Sequence, residues 1–347
     1  MTHTNFRLPA EWERQAGVLL AWPHAQTDWA ERLADVETTF VALAAAIARA
    51  EPVLICVADA QVRARAQALL GDVAAQCRFV DIEYDDTWLR DSGPITLRAS
   101  DAYRLLDFRF TGWGGKFAAN RDDRLVEGLA ARELFRNADH RRVDWALEGG
   151  AIESDGAGTI LTTWRCMHQR HPEMSREQMT RVLCERLGAE RVLWLERGYL
   201  QGDDTDAHID TLARFAPDDV IVFQSCDDPA DPHYDELTAM RDELTTLRTA
   251  SGQPYRLLGL PWAKPIFDDG RRLAASYANY LIVNGAVLVP AYGDPADAEA
   301  ARAIAAAHPG REVIAVPCRP LIWQNGSLHC LTMQLPDGLL KTSTLNV

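Results

Sequence analysis

The chain has 347 residues, 47% of them hydrophobic, so it can bury a large core; 36 basic against 50 acidic residues give a net charge of -14. That balance argues against nucleic acid or an anionic membrane surface as partner and favours a cationic ligand. Seven scattered cysteines do not suit a disulfide framework. The opening MTHTNFRLPAEWERQ lacks the apolar core of a signal peptide, and no apolar run is long enough to cross a bilayer, so a soluble protein of the reducing cytoplasm is expected.

In chain order, residues 17–22 read as a strand. Thr27 and Asp28 then open a helix through Arg49, residues 53–57 form a second strand, and a further helix and strand fall within residues 60–80. From residue 95 the order becomes regular. Strands within 95–110 precede a helix around 122–136 and a strand at 142–147. A hairpin over 151–163 turns at Asp155-Gly156, a helix with a Ser175/Gln178 capping box runs to Gly188, and a strand follows at 191–195. Strands within 207–224, a helix within 231–250 and a strand at 255–260 repeat the pattern. So do a hairpin over 282–288 around Asn284-Gly285, a helix with Asp294 as N-cap, Pro295 at its first position and Gly310 beyond its end, and a strand at 312–316. If residues 328–335 pair with 17–22, the two ends supply a fifth unit. Five strand–strand–helix–strand units suggest a closed ring of α/β class, one domain over residues 1–347; the alternative is an α/β sandwich whose hairpins merely recur.

The unusual polar residues fall near the first strand of each unit. Asp91, Glu148, His208, Asn279 and Cys330 are separated by 57, 60, 71 and 51 residues. In a ring with that repeat they converge on the axis. The stretch GDDTDAHIDTLARF adds Asp203, Asp204, Asp206 and Asp210; read as a strand from Ala207, it points His208 and Asp210 the same way. Cys330 is placed in an apolar strand with His329 facing the opposite side. Trp113, in WGGK, either packs in its loop or lines the pocket. Cys166, His168 and His171 lack a fourth ligand at a regular spacing, so no metal is expected, and no phosphate loop or serine elbow occurs.

A cysteine, a histidine and one acid would suit a protease, but further carboxylates repel a thiolate. They suit a substrate whose positive charge cannot be titrated away. A guanidinium is flat, permanently charged and matched to carboxylates edge to edge. Asp91 and Asp210 would grip it, Cys330 would attack its carbon, and His208, oriented by Glu148, would protonate the departing ammonia and then activate water.

These residues carry a resemblance. DTWLRDSGP, EGGAIESDG, DDTDAHID, SYANY and HCLTMQ, with PAEW and WGGK, are similar to the agmatine deiminase and bacterial peptidylarginine deiminase family of guanidine-modifying enzymes, over residues 9–336. The resemblance implies a five-bladed, pseudo-symmetric α/β propeller of ββαβ units with a central active site. It implies Cys330 as nucleophile, His208 as acid and base with Glu148 as its partner, and Asp91 and Asp210 as guanidinium ligands. Trp88 becomes a wall of the slot and Asp204 faces the far end of the substrate; Asn279 and Trp113 are counted with the substrate contacts. No cofactor is implied, and a homo-oligomer is compatible with it. Three segments depart from the family pattern: QNGSLHC before the nucleophile, DTDAH, and CMHQRHP. They flank the catalytic groups, so the substrate is less fixed than the chemistry. Agmatine is the first expectation. Free or peptidyl arginine, a guanidino acid, an amidinotransferase reaction and a non-catalytic polyamine- or guanidine-binding protein are the alternatives.

Overall fold

The structure, a computed structural model, describes residues 5–341. It is a mixed α/β fold built from one repeated pattern. In four sheets the first strand pairs antiparallel with the second, and the second pairs parallel with a third that follows a helix. They are Ile95–Ala99, Ala102–Arg109 and Ala138–Ala146; Ile152–Ser154, Thr159–Thr163 and Arg191–Leu195; Ala213–Ala216, Val220–Gln224 and Arg256–Leu260; and Leu281–Val283, Ala286–Ala291 and Glu312–Pro317. The fifth joins the two ends. Met333–Pro336 runs antiparallel to Gln15–Ala21, which continues parallel into Val53–Val57 and Cys77–Asp81. A two-stranded ribbon, Phe267–Asp268 with Arg271–Arg272, lies outside the pattern.

The middle strands read VLICV and VIVFQ and are buried along their whole length. That is the composition of a strand covered on both faces. Each of three helices touches the outer strand of the preceding unit. Tyr234–Leu244 meets Arg191–Leu195, Asp297–Ala307 meets Arg256–Leu260, and Leu33–Ala48 meets Glu312–Pro317. Among the described residues no helix is long and apolar enough to cross a membrane.

Most expected elements are present. The helix Arg176–Leu187 carries its Ser175/Gln178 capping box and ends on a left-handed Gly188, where φ is +66°. Four expectations are corrected. The regular helix beyond Asp294 starts only at Asp297, after a turn at Pro295 and Ala296; Asp294 Oδ1 still accepts from the Ala296 N–H at 2.9 Å, as an N-cap does, and the Asp297 carboxylate accepts from the backbone N–H groups of Tyr292, Gly293 and Asp294. The helix expected from Thr27 begins at Leu33, after a short turn at Ala30–Arg32. The third correction shapes the site. Residues 207–212 are not strand, because side chains capture their backbone donors. Asp203 accepts from the N–H groups of Thr205 and Ala207, and the Thr205 hydroxyl accepts from that of His208. Asp206 and Ala207 turn left-handed at φ +68° and +71°, and Ile209–Thr211 forms a 3-10 turn before the strand begins at Ala213. Cys330 likewise lies in a turn, and the strand starts at Met333.

Candidate active site

Five turns, one leading into each sheet, bring the expected residues together. Asp91 and Trp88 come from the turn around Leu89–Ser92, Glu148 from the one before Gly149–Ala151, and His208 and Asp210 from the one before Ala213. Asn279 and Cys330 stand in the turns before Leu281 and Met333. A strand would also have set His208 and Asp210 on one face; here a 3-10 turn over Ile209–Thr211 brings His208 to Glu148 and Asp91, and Asp210 to Cys330.

His208 is fully buried among acids. Its Nε2 lies 3.2 Å from Glu148 Oε2 and its Nδ1 lies 3.6 Å from Asp91 Oδ1. Burial works against its charge, but Asp91, the Cys166 thiol and Glu148 outweigh it and hold the imidazole well above its ordinary range, protonated. Glu148 would also be penalised by burial, yet its bonds to His208 and Arg170 bring it down to about 2. Asp210 Oδ2 takes a hydrogen bond from His329 Nδ1 at 2.8 Å and lies 3.5 Å from Cys330 Sγ. Burial, followed by the charges of Asp210 and Asp91, pushes the Cys330 thiol well above its usual value. The empty site thus favours the thiol; the Asn279 hydrogen bond eases its ionisation, and a cation placed between those carboxylates would ease it further.

Two buried polar atoms face inward without a partner, Asp210 Oδ1 and His208 Nδ1. They are an acceptor and, in the imidazolium, a donor. Gly150 marks the point between them. A methyl group on its Cα would lie 2.7 Å from Asp91 Oδ1, 2.7 Å from His208 Nδ1 and 3.2 Å from Asp210 Oδ2. The Gly150 N–H donates to Asp91 Oδ1 at 3.0 Å, and Trp113 Nε1 donates to Asp91 Oδ2 at 2.9 Å. Outward from Asp91 and Cys330 opens a cavity of about 150 Å³ walled by Trp88, Trp113, Phe117 and Trp323. Asp204 stands at its outer part, bonded to Asn325 Nδ2 at 2.7 Å, with Asp86 and Asp28 also on the lining. Burial raises Asp204 and takes Asp86 to about 7. A second cavity, about 80 Å³, is lined by Glu11 and Arg90 but by none of the expected site residues.

Asn279 is placed differently from its expected role. It stands behind the sulfur, with Nδ2 3.2 Å from Cys330 Sγ and Oδ1 accepting from the N–H groups of His329 and Cys330. It does not line the cavity. His329 is no passive neighbour: buried, it spans Asp210 on one side and Glu11 Oε1, at 2.8 Å from Nε2, on the other. Glu11 also meets Arg214 and Arg90, which ties the N-terminal segment to the floor of the site. Arg170 was not foreseen. Its Nε donates to both Glu148 oxygens at 2.8 and 3.0 Å.

Cys166, His168 and His171 diverge. His171 stacks on Trp145 and His168 on Trp164, while Cys166 turns inward beside Glu148 and His208. The ligand atoms of Glu148, Cys166 and His208 lie within 4.8 Å of one another. The Arg170 guanidinium already supplies that cluster with a cation, so its donor set does not call for a metal.

A cysteine among carboxylates and an imidazolium, at the base of an acidic aromatic cavity, defines a hydrolase acting on the C–N bond of an amidine. The comparisons narrow that class. The family model of the Porphyromonas-type peptidyl-arginine deiminases matches residues 7–336, and the chain belongs to this family. It is 34% identical to the agmatine deiminase of Stutzerimonas stutzeri (strain A1501), covering 97% of each chain, and 35% identical to that of Pseudomonas putida KT2440, covering 96% of each. Among solved structures it is similar to a cysteine-to-serine variant of C. jejuni agmatine deiminase with substrate bound, with a TM-score of 0.89, 32% identity and coverage of 96% and 97%. It also matches a Porphyromonas gingivalis protein provisionally named an arginine deiminase, with a TM-score of 0.91, 46% identity and coverage of 97% and 99%. The protein is a deiminase of a guanidine compound.

Proposed function

We propose that the protein hydrolyses agmatine to N-carbamoylputrescine and ammonia. The observation that carries this reading is the lining of the cavity: among its described residues are four aspartates, Asp28, Asp86, Asp91 and Asp204, and no lysine or arginine. A substrate cationic at both ends suits such a wall, whereas the α-carboxylate of arginine would meet like charge, the cations at the rim being engaged, Lys116 by Asp206 and Arg271 by Asn325 and the Trp323 carbonyl. A guanidinium between Asp91 and Asp210 completes Asp210 Oδ1 and offsets the field that keeps Cys330 protonated. Cys330 then gives up its proton to solvent, and the thiolate bonds to the guanidinium carbon. His208 gives its Nδ1 proton to the departing nitrogen, and ammonia leaves. The amidino-thioether that remains is attacked by a water that has given a proton to His208. Collapse breaks the C–S bond and releases the ureido product; of the thiol proton and the proton of the new hydroxyl, one returns to the sulfur and the other turns ammonia into ammonium. Trp88 walls the slot, Trp113 holds Asp91, Asn279 steadies the sulfur, and Asp204 receives the terminal amine.

The same proposal includes a closed five-bladed propeller in one domain over residues 1–347. Its supports are the five like sheets and the helices that bridge successive units. A cytoplasmic setting suits the unpaired thiols.

Incubation with agmatine, arginine, a blocked arginyl peptide and short guanidino acids, with assay of ureido product and ammonia, tests the assignment. Agmatine is expected to have the highest kcat/KM, with ureido product formed in the absence of any added amine. Preference for a carboxylate-bearing guanidine would overturn the substrate, and dependence on an amine would make the enzyme a transferase.

The pH profile is a second test. Asp91 is raised to about 6, by burial first and then by Asp210 and Glu148, with His208 opposing. It must be ionised to hold a guanidinium. We expect kcat/KM to fall as pH drops through about 6, and the corresponding limb in kcat to lie lower, because bound substrate holds Asp91 charged. Initial rates on both sides of that pH check it; a kcat/KM level down to about pH 5 would refute it. The sign for stability is the reverse of the usual carboxylate. The folded chain keeps this proton longer than the unfolded one, so ionising Asp91 costs stability as pH rises through about 6.

A further inference from the structure

An unbroken file of charges runs from the rim of the cavity to the imidazole. Lys116 Nζ donates to Asp206 Oδ2 at 2.5 Å and to the Asp204 carbonyl at 2.5 Å. Asp206 Oδ2 accepts from Arg170 NH1 at 2.7 Å, Arg170 Nε holds both Glu148 oxygens, and Glu148 meets His208 Nε2 at 3.2 Å. Exposure falls along the file, from 34% for the Lys116 side chain to 20% for Asp206, 1% for Arg170 and zero for Glu148 and His208. Burial would raise Asp206, but Lys116 and Arg170 hold it below the ordinary carboxylate range.

Lys116 ends a loop of unusual backbone. Gly112, Trp113, Gly114 and Gly115 are all left-handed, with φ of +62°, +55°, +82° and +86°. For a tryptophan that conformation costs energy and persists only where the surroundings impose it. Gly114 lies so close to Gln169, beside Arg170, that a Cβ there would meet its amide at 2.5 Å. The loop carries Trp113, which bonds Asp91, and leads to Phe117 on the cavity wall. Nothing in the catalytic scheme uses Lys116.

We propose that Lys116 is a positioning residue that latches the loop of residues 111–117 over the cavity and, through Asp206 and Arg170, steadies Glu148 against His208. The inference rests on the deiminase site described above but not on agmatine as substrate. Without the latch, the loop must be ordered each time substrate binds. A loop that is closed only about a tenth of the time raises the apparent dissociation constant about tenfold.

The test uses Lys116→Met, Lys116→Arg, Asp206→Asn and the Lys116→Met/Asp206→Asn double variant, assayed with whichever guanidine compound the unaltered enzyme turns over. Lys116→Met is expected to raise KM about tenfold with a smaller effect on kcat, and Lys116→Arg to stay near the parent. Asp206→Asn, which also loosens Arg170, is expected to lower kcat as well. The double variant should be no worse than Asp206→Asn alone, the mark of residues acting in one file. Unchanged KM in Lys116→Met, an arginine variant as impaired as the methionine one, or additive losses in the double variant would each overturn the proposal. A readout independent of turnover is alkylation of Cys330 by iodoacetamide, followed by peptide mass. It should be several-fold faster in Lys116→Met than in the parent, and equal rates would refute the latch even if the parent hydrolysed no guanidine and the catalytic reading fell.

Discussion

Cys330→Ala is expected to reduce deiminase turnover by a factor on the order of 10⁴ or more while leaving guanidine binding intact. Removal of a nucleophile costs about that much, because the remaining groups can bind but cannot form the covalent intermediate. The replacement is well tolerated sterically. The sulfur is nearly buried, alanine fits inside its envelope, and Asn279 Nδ2, which loses Sγ, keeps the Asp210 carbonyl at 3.4 Å. Binding should not weaken, since Asp91, Asp210 and Asp204 stay in place. Ammonia release and calorimetric titration with agmatine check the two halves. More than about a hundredth of parental turnover in the variant would remove Cys330 from the reaction.

Gly150→Ala should come close to the same loss without replacing a catalytic group. The added methyl would occupy the point on which Asp91, His208 and Asp210 converge, 2.7 Å from two of them, and contacts that short must be relieved by movement. Displacement of reacting groups by about 1 Å already costs on the order of 10²-fold, and here the methyl also takes space meant for the guanidinium; we expect a drop in kcat/KM of at least about 10³-fold. The fold should survive. Gly150 does not have a left-handed backbone, so alanine brings only overpacking, about 1–3 kcal/mol. Gly326→Ala makes a useful contrast, because its methyl would strike the Trp88 ring, 2.2 Å away at the nearest atom, and should act mainly through KM. A Gly150→Ala enzyme with near-normal kinetics would show that the guanidinium sits elsewhere.

Where one physical signal dominated, the sequence was easy to read. Val53–Val57 and Val220–Gln224 are apolar at nearly every position because both faces are covered, and Ser175 with Gln178 fixes the start of its helix through two reciprocal hydrogen bonds. The spacing of Asp91, Glu148, His208, Asn279 and Cys330 was legible because one turn per unit points toward the same place. The turns themselves were not. Residues 207–212 look like a strand by composition, but Asp203 and Thr205 capture the N–H groups of Ala207 and His208 and take them out of a ladder. Asn279 was assigned to the substrate because its residue type suits either role, and the choice depends on which side of Cys330 it stands. Arg170 escaped because its partner Glu148 lies 22 residues away with no periodicity to link them. Charge balance would have found it: so many carboxylates around one imidazole require a resident cation when the site is empty.

The strand Met333–Pro336 that follows Cys330 pairs with Gln15–Ala21, so the reactive sulfur is anchored to nearly the first structured segment of the chain by nearly the last. Closing a loop of that length costs about 5 kcal/mol in chain entropy, repaid only when the final sheet forms. A ribosome-bound chain thus exposes its acids and histidine long before it can complete the centre. The centre is therefore whole only once Met333–Pro336 has docked against Gln15–Ala21.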